Sequence, residues 1–514
     1  MTSLTRRRAL LLAGFAAVGL LAYARVLNTS FLSDDWNIVG AVHRNGAFGV
    51  FTGHSRMFLR PLMSVSIRFD YVLYGLEPLG FHLTNVLLHV LCAFLVYAVG
   101  NKLLGSRVGL WSGLLFLVHP SHTEAVSWIA GRNDVLCTFF SLLSFLTYLS
   151  YVESRRVRHL CGSLAFLALA LLSKEAALGV PAVIAAHLVI SRPVPRRRAV
   201  SVLTLYAGLV MLYFLLRYVI LGVFVSEYAQ LHISPRGVVR FLRRGVARML
   251  VPPLHDRPLA SALAALALGL LGVFLYRRLR SCSKEERRSI GRRLGFPSVA
   301  FIASAAPVLP LALSMVDTQG DRFLYLPSAF GCLALAYMLS VIVPQPRRFA
   351  ICAGAVAAVF LAALLSLNEN WRTASELARR TLTQTAQADL PPRTLFLTVP
   401  DNYRGAYVFR NGLWAALRLT GIGGELESCH RLSSITLRSQ RESIDIERRG
   451  ARFTVSVEHP GIHLYADPGL GWPSRLGTLS EVSTHGFVFD MNPAARDVGV
   501  YFWSEGAIHR YPGR

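Results

Sequence analysis

Two adjacent carboxylates, Asp34 and Asp35, stand in the run Phe31-Leu32-Ser33-Asp34-Asp35-Trp36, directly after an apolar stretch. Like charges side by side repel, and near a low-dielectric boundary each is costly unless it is paired or used. Such a pair is suited to deprotonating a hydroxyl nucleophile, to holding a divalent cation such as Mg or Mn, or to both. The plainer alternative for two bare acids is a solvated turn that ends a helix.

Other residues of chemical interest fall in short polar breaks between apolar runs. His119-Pro120-Ser121-His122-Thr123-Glu124 sets two imidazoles three apart with a carboxylate beyond them. Zinc is conceivable there, but the HExxH order is missing and Pro120 disrupts the first turn. His122 and Glu124 are better suited to orienting a substrate or a neighbouring loop. Arg132 and Asp134 open the next apolar run, as a structural ion pair or as functional groups. Ser173-Lys174-Glu175 interrupts two more runs, with Lys174 and Glu175 either paired to each other or part of a polar site. Arg322, in Asp321-Arg322-Phe323-Leu324-Tyr325-Leu326-Pro327-Ser328, suits a lipid-linked phosphate because guanidinium is planar, permanently charged and bidentate. Were a metal involved, Asp35 and Glu124 would be the candidate ligands.

The elements that must position these residues are membrane helices. Hydrophobic residues form 53% of the chain and charged ones 16%, a balance that a soluble domain cannot hide in one core. The apolar residues cluster in runs near 9–27, 81–104, 107–119, 134–152, 158–172, 176–190, 199–221, 258–276, 297–314, 323–343 and 349–367. That predicts an all-α polytopic membrane protein with about eleven transmembrane helices. The first run resembles a signal peptide in its leading Arg6–Arg8, but it continues to Leu27 and reads as a retained helix.

The formal net charge of +25 does not indicate nucleic acid. The arginines lie in clusters between apolar runs, as cytoplasmic loops do, and form no single basic face. With the N-terminus inside, the linkers at 103–107, 153–158, 191–198, 277–296 and 344–348 fall inside and the polar breaks fall outside. Arg236, Arg240, Arg243, Arg244 and Arg248 break the rule; their spacing predicts an interfacial amphipathic helix, or else a further span. Only three lysines (Lys102, Lys174, Lys284) occur amid abundant Ala, Leu and Arg, which points to a bacterial source and hence the inner membrane. The seven cysteines include no CxxC pair and read as small apolar packing residues.

An odd number of spans puts residues 368–514 outside, after a transmembrane domain over 1–367. Thr394–Pro400 reads as a strand and Ala406–Leu419 as a short amphipathic helix. From His430 onward, alternating stretches between Gly, Pro and Asn predict a small α/β or mainly β extramembrane domain.

Taken in order, these motifs resemble the GT-C class of membrane glycosyltransferases, in particular the transmembrane O-mannosyltransferases that carry tetratricopeptide repeats. The resemblance lies in FLSDDW (31–36), FLRPLMSVSIRFDY (58–71), FHLTNVLLHVL (81–91), HPSHTEAVSWIAGRNDVL (119–136), LLSKEAALGVPAV (171–183), DRFLYLPS (321–328) and NWRTASEL (370–377). Two departures stand out: a short outer domain replaces the repeats, and RYVILGVFVSEYAQ (217–230) matches only loosely.

The resemblance implies a sugar donor on a polyprenyl phosphate and a hydroxyl acceptor on protein, lipid or glycan, at the extracytoplasmic face of the bilayer. Asp34 or Asp35 would be the general base. His122, Glu124, Arg132, Lys174, Glu175 and Arg322 would bind donor or substrate, with Arg322 and then Lys174 nearest the phosphate. A lipid-linked glycan flippase or a non-catalytic assembly protein are the competing classes. A flippase expects ionisable residues in mid-span, and an assembly protein expects Asp34 and Asp35 to be dispensable.

Overall fold

A computed structural model describes residues 3–46, 58–224, 234–253, 257–314, 316–388, 390–422, 424, 426–457, 462–466, 476–493, 495 and 498–511. Residues 47–57, in the break that opens with Asp34 and Asp35, and residues 225–230 of the loosely matching block lie outside these. Among the described residues thirteen helices precede the last spans: α1 (Ser3–Tyr23), α2 (Asp34–Asn45), α3 (Pro61–Tyr74), α4 (Pro78–Leu104), α5 (Ser106–Leu117), α6 (Thr123–Ser127), α7 (Arg132–Ser154), α8 (Val157–Leu171), α9 (Val180–Ser191), α10 (Arg196–Leu221), α11 (Pro235–Arg248), α12 (Arg257–Arg280) and α13 (Lys284–Ala305). They are followed by α14 (Tyr325–Ile342) and α15 (Pro346–Gln387). The chain then forms strands β1 (Arg393–Tyr403) and β2 (Ala406–Tyr407), helix α16 (Leu413–Leu419), and strands β3 (Ser428–Leu437), β4 (Asp445–Arg449), β5 (Arg452–Ser456), β6 (Leu464–Ala466), β7 (Gly477–Ser480), β8 (Gly486–Met491), β9 (Val498–Ser504) and β10 (Ala507–Arg510).

The chain divides into two compact units, one formed by residues 1–27 and 45–368, the other by 28–44 and 369–514. The first is helical and embedded in the membrane. Among the described residues six helices are long and apolar enough to cross a bilayer: Pro78–Leu104, Ile129–Ser154, Arg196–Leu221, Pro258–Arg280, Asp321–Ile342 and Pro346–Gln387. Ser106–Leu117, Val157–Leu171 and Glu175–Ser191 are shorter apolar helices. The expected span at 297–314 is cut short, because α13 ends at Ala305 and a single 3-10 turn, Ala306–Val308, follows. Pro307 and Pro310 remove the backbone donors that a continuing helix needs.

Close backbone packing aligns the helices. A side chain at Gly100 of α4 would place its Cβ 2.7 Å from Cα of Gly109 in α5, so both positions require glycine for this approach. Ser144 of α7 and Ser163 of α8 exchange hydrogen bonds through their hydroxyls and carbonyls, and Tyr206 of α10 joins them at 2.5 Å. At one end of the unit Lys102 pairs with Glu153, and Arg155 donates to the carbonyl of Pro193 at 2.7 Å. The starts of α7, α9 and α14 and the ends of α8, α10 and α11 meet at the other end, through the ion pairs described below.

The segment 236–252 resolves as α11, whose 14 residues span about 21 Å at 1.5 Å per residue, short of the ~30 Å hydrocarbon core. Arg236, Arg240 and Arg243 are exposed, in keeping with an interfacial face. Arg248 corrects that expectation: it is buried, its Nε donating to Asp321 at 2.8 Å and its Nη2 to the carbonyls of Ser314 and Asp317. Arg244 likewise turns to the carbonyl of Leu313.

The second unit contains two sheets. The larger has strand order β10-β9-β1-β3-β6, with β2 attached to β1; the smaller has order β4-β5-β8-β7. In the larger sheet β1 runs parallel to both β3 and β9 and is buried along nearly its whole length, as a central strand covered on both faces must be. Helix α16 is shorter than the expected 406–419, because Gly412 takes φ +82 just before it and the preceding residues pair with the end of β1. The smaller sheet is an antiparallel set whose outer strand β4, Asp445–Arg449, exposes most of its side chains.

Candidate functional site

The polar end of the helical unit is built mostly from residues at or near helix ends. Glu124 lies in α6, fully buried, and accepts from the backbone N–H of Arg322 at 2.9 Å and from its Nη1 at 3.0 Å. The Arg322 side chain is 24% exposed, and its guanidinium carbon lies 5.0 Å from the centre of the Trp128 ring and 5.1 Å from that of the Phe323 ring. A buried acid therefore fixes a partly exposed arginine side chain beside two aromatic rings, which limits how far its guanidinium can wander.

Lys174 and Glu175 do not pair with each other. Lys174 Nζ donates to both oxygens of Asp134 at 2.6 Å, and lies 5.3 Å from the Phe323 ring. Burial pushes the Lys174 ammonium below the usual lysine range, Asp134 opposes this, and Arg60 and Arg322 add to the lowering. Glu175 instead accepts from Arg60 at 2.8 Å and from Arg217 at 3.2 Å, tying the chain before α3 to the end of α10.

Arg132 does not pair with Asp134 either. It is fully buried, bridged to Asp70 at 2.5 Å, and donates to Asn85 Oδ1 at 2.6 Å, to Ser66 Oγ at 3.1 Å and to the Phe81 carbonyl at 2.7 Å. Its contacts join α3, α4 and the start of α7, so its guanidinium is walled off by the protein.

The two imidazoles form a packed core rather than a ligand set. Ser121 N–H donates to His119 Nδ1 at 3.3 Å, which leaves Nε2 to carry the proton, facing the Met249 carbonyl at 3.4 Å. His122 Nε2 meets Ser328 Oγ at 2.8 Å, and its ring packs 4.7 Å from that of Tyr325. Burial pushes His119 down to about 4, and pushes His122 well below the ordinary histidine value with His119 and His89 adding to it. Among the described residues no group of three His, Cys, Asp or Glu side chains is arranged to hold a metal. Glu124, with both oxygens engaged by Arg322, does not fit a ligand role.

Several members of this end were absent from the sequence reading as site residues: Arg60, Asp70, Asn85, His89, Arg217 and the Arg248–Asp321 pair. His89 Nδ1 meets Tyr325 Oη at 2.7 Å, and its Nε2 meets the Leu117 carbonyl at 2.9 Å. Arg60, Asp70, Asn85 and His89 all lie inside ordered motif blocks, and the recurrence of a charged or polar residue within an apolar block was the available signal.

Asp34 and Asp35 belong to the second unit. They open α2 rather than ending a helix, in the first turn, where the N-terminal dipole favours negative charge. Asp35 is buried, and its Oδ2 accepts from the Leu32 N–H at 3.0 Å, while Asp34 is half-buried.

Residues 61–220 of the helical unit match the family model of dolichyl-phosphate-mannose-protein mannosyltransferases. The resemblance to GT-C membrane glycosyltransferases thus holds over this stretch. The chain is 37% identical over 182 residues to protein O-mannosyl-transferase Tmtc1 of Drosophila melanogaster, covering 32% of this chain and 21% of that one. It is 38% identical over 160 residues to the tmtc2 protein of Xenopus laevis, covering 27% and 18%. The matched segment therefore spans about a fifth of the length of these relatives. Among solved structures, ArnT from Cupriavidus metallidurans bound to undecaprenyl phosphate aligns at 14% identity and a TM-score of 0.48, covering 87% of this chain and 98% of that one.

Proposed function

We propose that this protein transfers a sugar from a polyprenyl-phosphate-linked donor to a hydroxyl-bearing acceptor, with inversion at the anomeric carbon. The observation that carries the reading is the Glu124–Arg322 pair: a fully buried carboxylate, within the mannosyltransferase-like stretch, holding an arginine whose side chain stays partly exposed. The donor class is carried over from the family matched over residues 61–220.

In this reading Asp34 or Asp35 takes the acceptor hydroxyl's proton as its oxygen bonds to the anomeric carbon. The bond from that carbon to the phosphate oxygen breaks, and the electron pair leaves with the polyprenyl phosphate. Arg322 stabilises the phosphate's developing charge, with Lys174 contributing a second, more enclosed cation. His122 and Glu124 act by position, Glu124 through Arg322. Glu175 and Arg132 hold the helix ends that frame the site.

We assign the polar end and the C-terminal unit to the extracytoplasmic side of a bacterial inner membrane. The basic linkers at 153–158 and 191–198 share the opposite end, which the positive-inside rule gives to the cytoplasm. A reporter fused after Arg514 tests this, because cytoplasmic reporter activity there overturns it.

The chemistry is tested with purified full-length protein and synthetic polyprenyl-phosphate mannose, following sugar transfer and release of polyprenyl phosphate. Asp34→Asn, Asp35→Asn and Arg322→Ala are compared with wild type. The reading expects one of the Asn variants to lose turnover and Arg322→Ala to weaken donor use. Full activity in both Asn variants defeats the proposed base.

A further inference from the structure

The two aspartates open a helix whose preceding residue is held by the C-terminal residues of the same unit. Ser33 adopts φ +50, a left-handed conformation that costs a side-chain-bearing residue energy unless its surroundings enforce it. Three contacts enforce it. The Ser33 N–H donates to the Val408 carbonyl at 2.9 Å, and the Asn411 N–H donates to Ser33 Oγ at 3.2 Å. Gly412 lies against the Ser33 carbonyl so closely that a Cβ there would stand 2.2 Å from that oxygen and 3.2 Å from Cβ of Trp36.

The segment that makes these contacts is itself fixed to the central strands. Val408 N–H donates to the Asp401 carbonyl at 2.8 Å and Phe409 N–H to the Pro400 carbonyl at 3.0 Å, both at the end of β1. Arg410 pairs with the buried Asp401 carboxylate at 2.7 Å, and Ser434 of β3 adds a hydrogen bond to the same group at 3.1 Å. Arg431 of β3 donates to the carbonyls of Phe409 and Arg410. On the amino side of the aspartates, Ser30 N–H donates to Ser375 Oγ at 2.8 Å. Farther along α2, a Cβ at Gly40 would meet Leu419 Cδ1 at 3.2 Å.

We propose that Gly412 and Ser33 are positioning residues: the sheet of the C-terminal unit, through the 408–412 segment, holds the Asp34–Asp35 turn in its working conformation. The C-terminal unit is then part of the catalytic apparatus, whatever else it binds. The inference rests on the reading of the aspartates as the source of the base. A shift of the carboxylate by about 1 Å is enough to cost roughly a hundredfold in rate.

The test uses full-length protein with synthetic polyprenyl-phosphate mannose and compares Gly412→Ala, Ser33→Val, Ser33→Asn and Asp34→Asn with Asp35→Asn. Asn tolerates the left-handed region, whereas β-branched Val does not. Gly412→Ala and Ser33→Val are expected to lower kcat by tenfold or more, in line with the positional cost above, while donor KM stays within about twofold because the donor cations are unchanged. Ser33→Asn should recover most of what Ser33→Val loses. If Gly412→Ala cannot be purified folded, the two Ser33 variants decide the matter. Wild-type turnover in Gly412→Ala and Ser33→Val, beside an inactive aspartate variant, overturns the positioning role and leaves the base intact. Wild-type turnover in both aspartate variants overturns the base itself.

Discussion

Arg322 gives Glu124 two hydrogen bonds, one from its backbone and one from its guanidinium, so the acid fixes the start of the Asp321–Ile342 span and the aim of its arginine at once. Hydrogen bonds to a charged group contribute about 1.5–3 kcal/mol each. Removing the acid's charge therefore acts on donor recognition through the arginine.

Glu124→Gln should raise donor KM by about tenfold to a hundredfold, the rate equivalent of one such hydrogen bond. Arg322→Lys should fall in the same range, since an ammonium cannot keep both the Glu124 contact and planar donors for a phosphate. Steady-state kinetics against polyprenyl-phosphate mannose give the answer, and an unchanged KM in both variants removes the pair from donor binding.

The Lys174–Asp134 pair is enclosed, and breaking one partner of such a pair costs about 3–5 kcal/mol. Lys174→Met alone should lower the thermal unfolding midpoint in detergent markedly. The double variant Lys174→Met with Asp134→Leu should regain much of that loss, because no lone charge is left inside. A double variant as unstable as the single one contradicts the account.

Arg132 spends its donors on Asp70, Asn85, Ser66 and Phe81, so Arg132→Lys strands at least one of these acceptors. Each stranded group costs about 1–3 kcal/mol. Reduced yield and a lower unfolding midpoint are expected, with donor KM unchanged in the protein that does fold. A shift in donor KM without loss of stability would make Arg132 a binding residue after all.

Acid should destabilise the helical unit through its histidines. His119 is held neutral down to about 4 in the folded state, while an unfolded chain takes up the proton near 6.5. The unfolded state thus binds more protons between these values, and stability falls as pH drops through that window. His122 adds to the same slope from burial and from its neighbours His119 and His89. Unfolding midpoints measured across the window should decline, and His119→Gln should flatten the decline; a flat wild-type profile rules this out.

The ordered blocks located the polar breaks, and composition was enough to recognise a membrane protein. Which residue pairs with which was hidden. Arg132 and Asp134 are two apart on a helix, where side chains point to different faces, so proximity in sequence argued for a pair that geometry forbids. Lys174 and Glu175 diverge because Lys174 is extended, at φ −165, immediately before the turn that Glu175 begins. Their partners, Asp134, Arg60 and Arg217, come from other helices, and one sequence carries no distances between helices.

In the C-terminal unit the strands at 394–400 and after His430 were legible from alternation and buried runs. The parallel pairing of β1 with β9 was not, since it joins residues about a hundred positions apart. The same holds for the link between Ser33 and residues 408–412. Only a fold that returns to the N-terminal turn after nearly the whole chain could make it, and local pattern is silent on such returns.

Strand β4 ends the smaller sheet with Asp445, Glu447, Arg448 and Arg449, both signs of charge along an open edge. Membranes confine copies of a protein to one plane, where collisions between like surfaces are frequent and repeatedly in similar orientation. An uncharged edge there would recruit the same edge of a neighbour and grow a shared sheet. Mixed charges make each such docking desolvate ions, which opposes growth of a shared sheet through this edge.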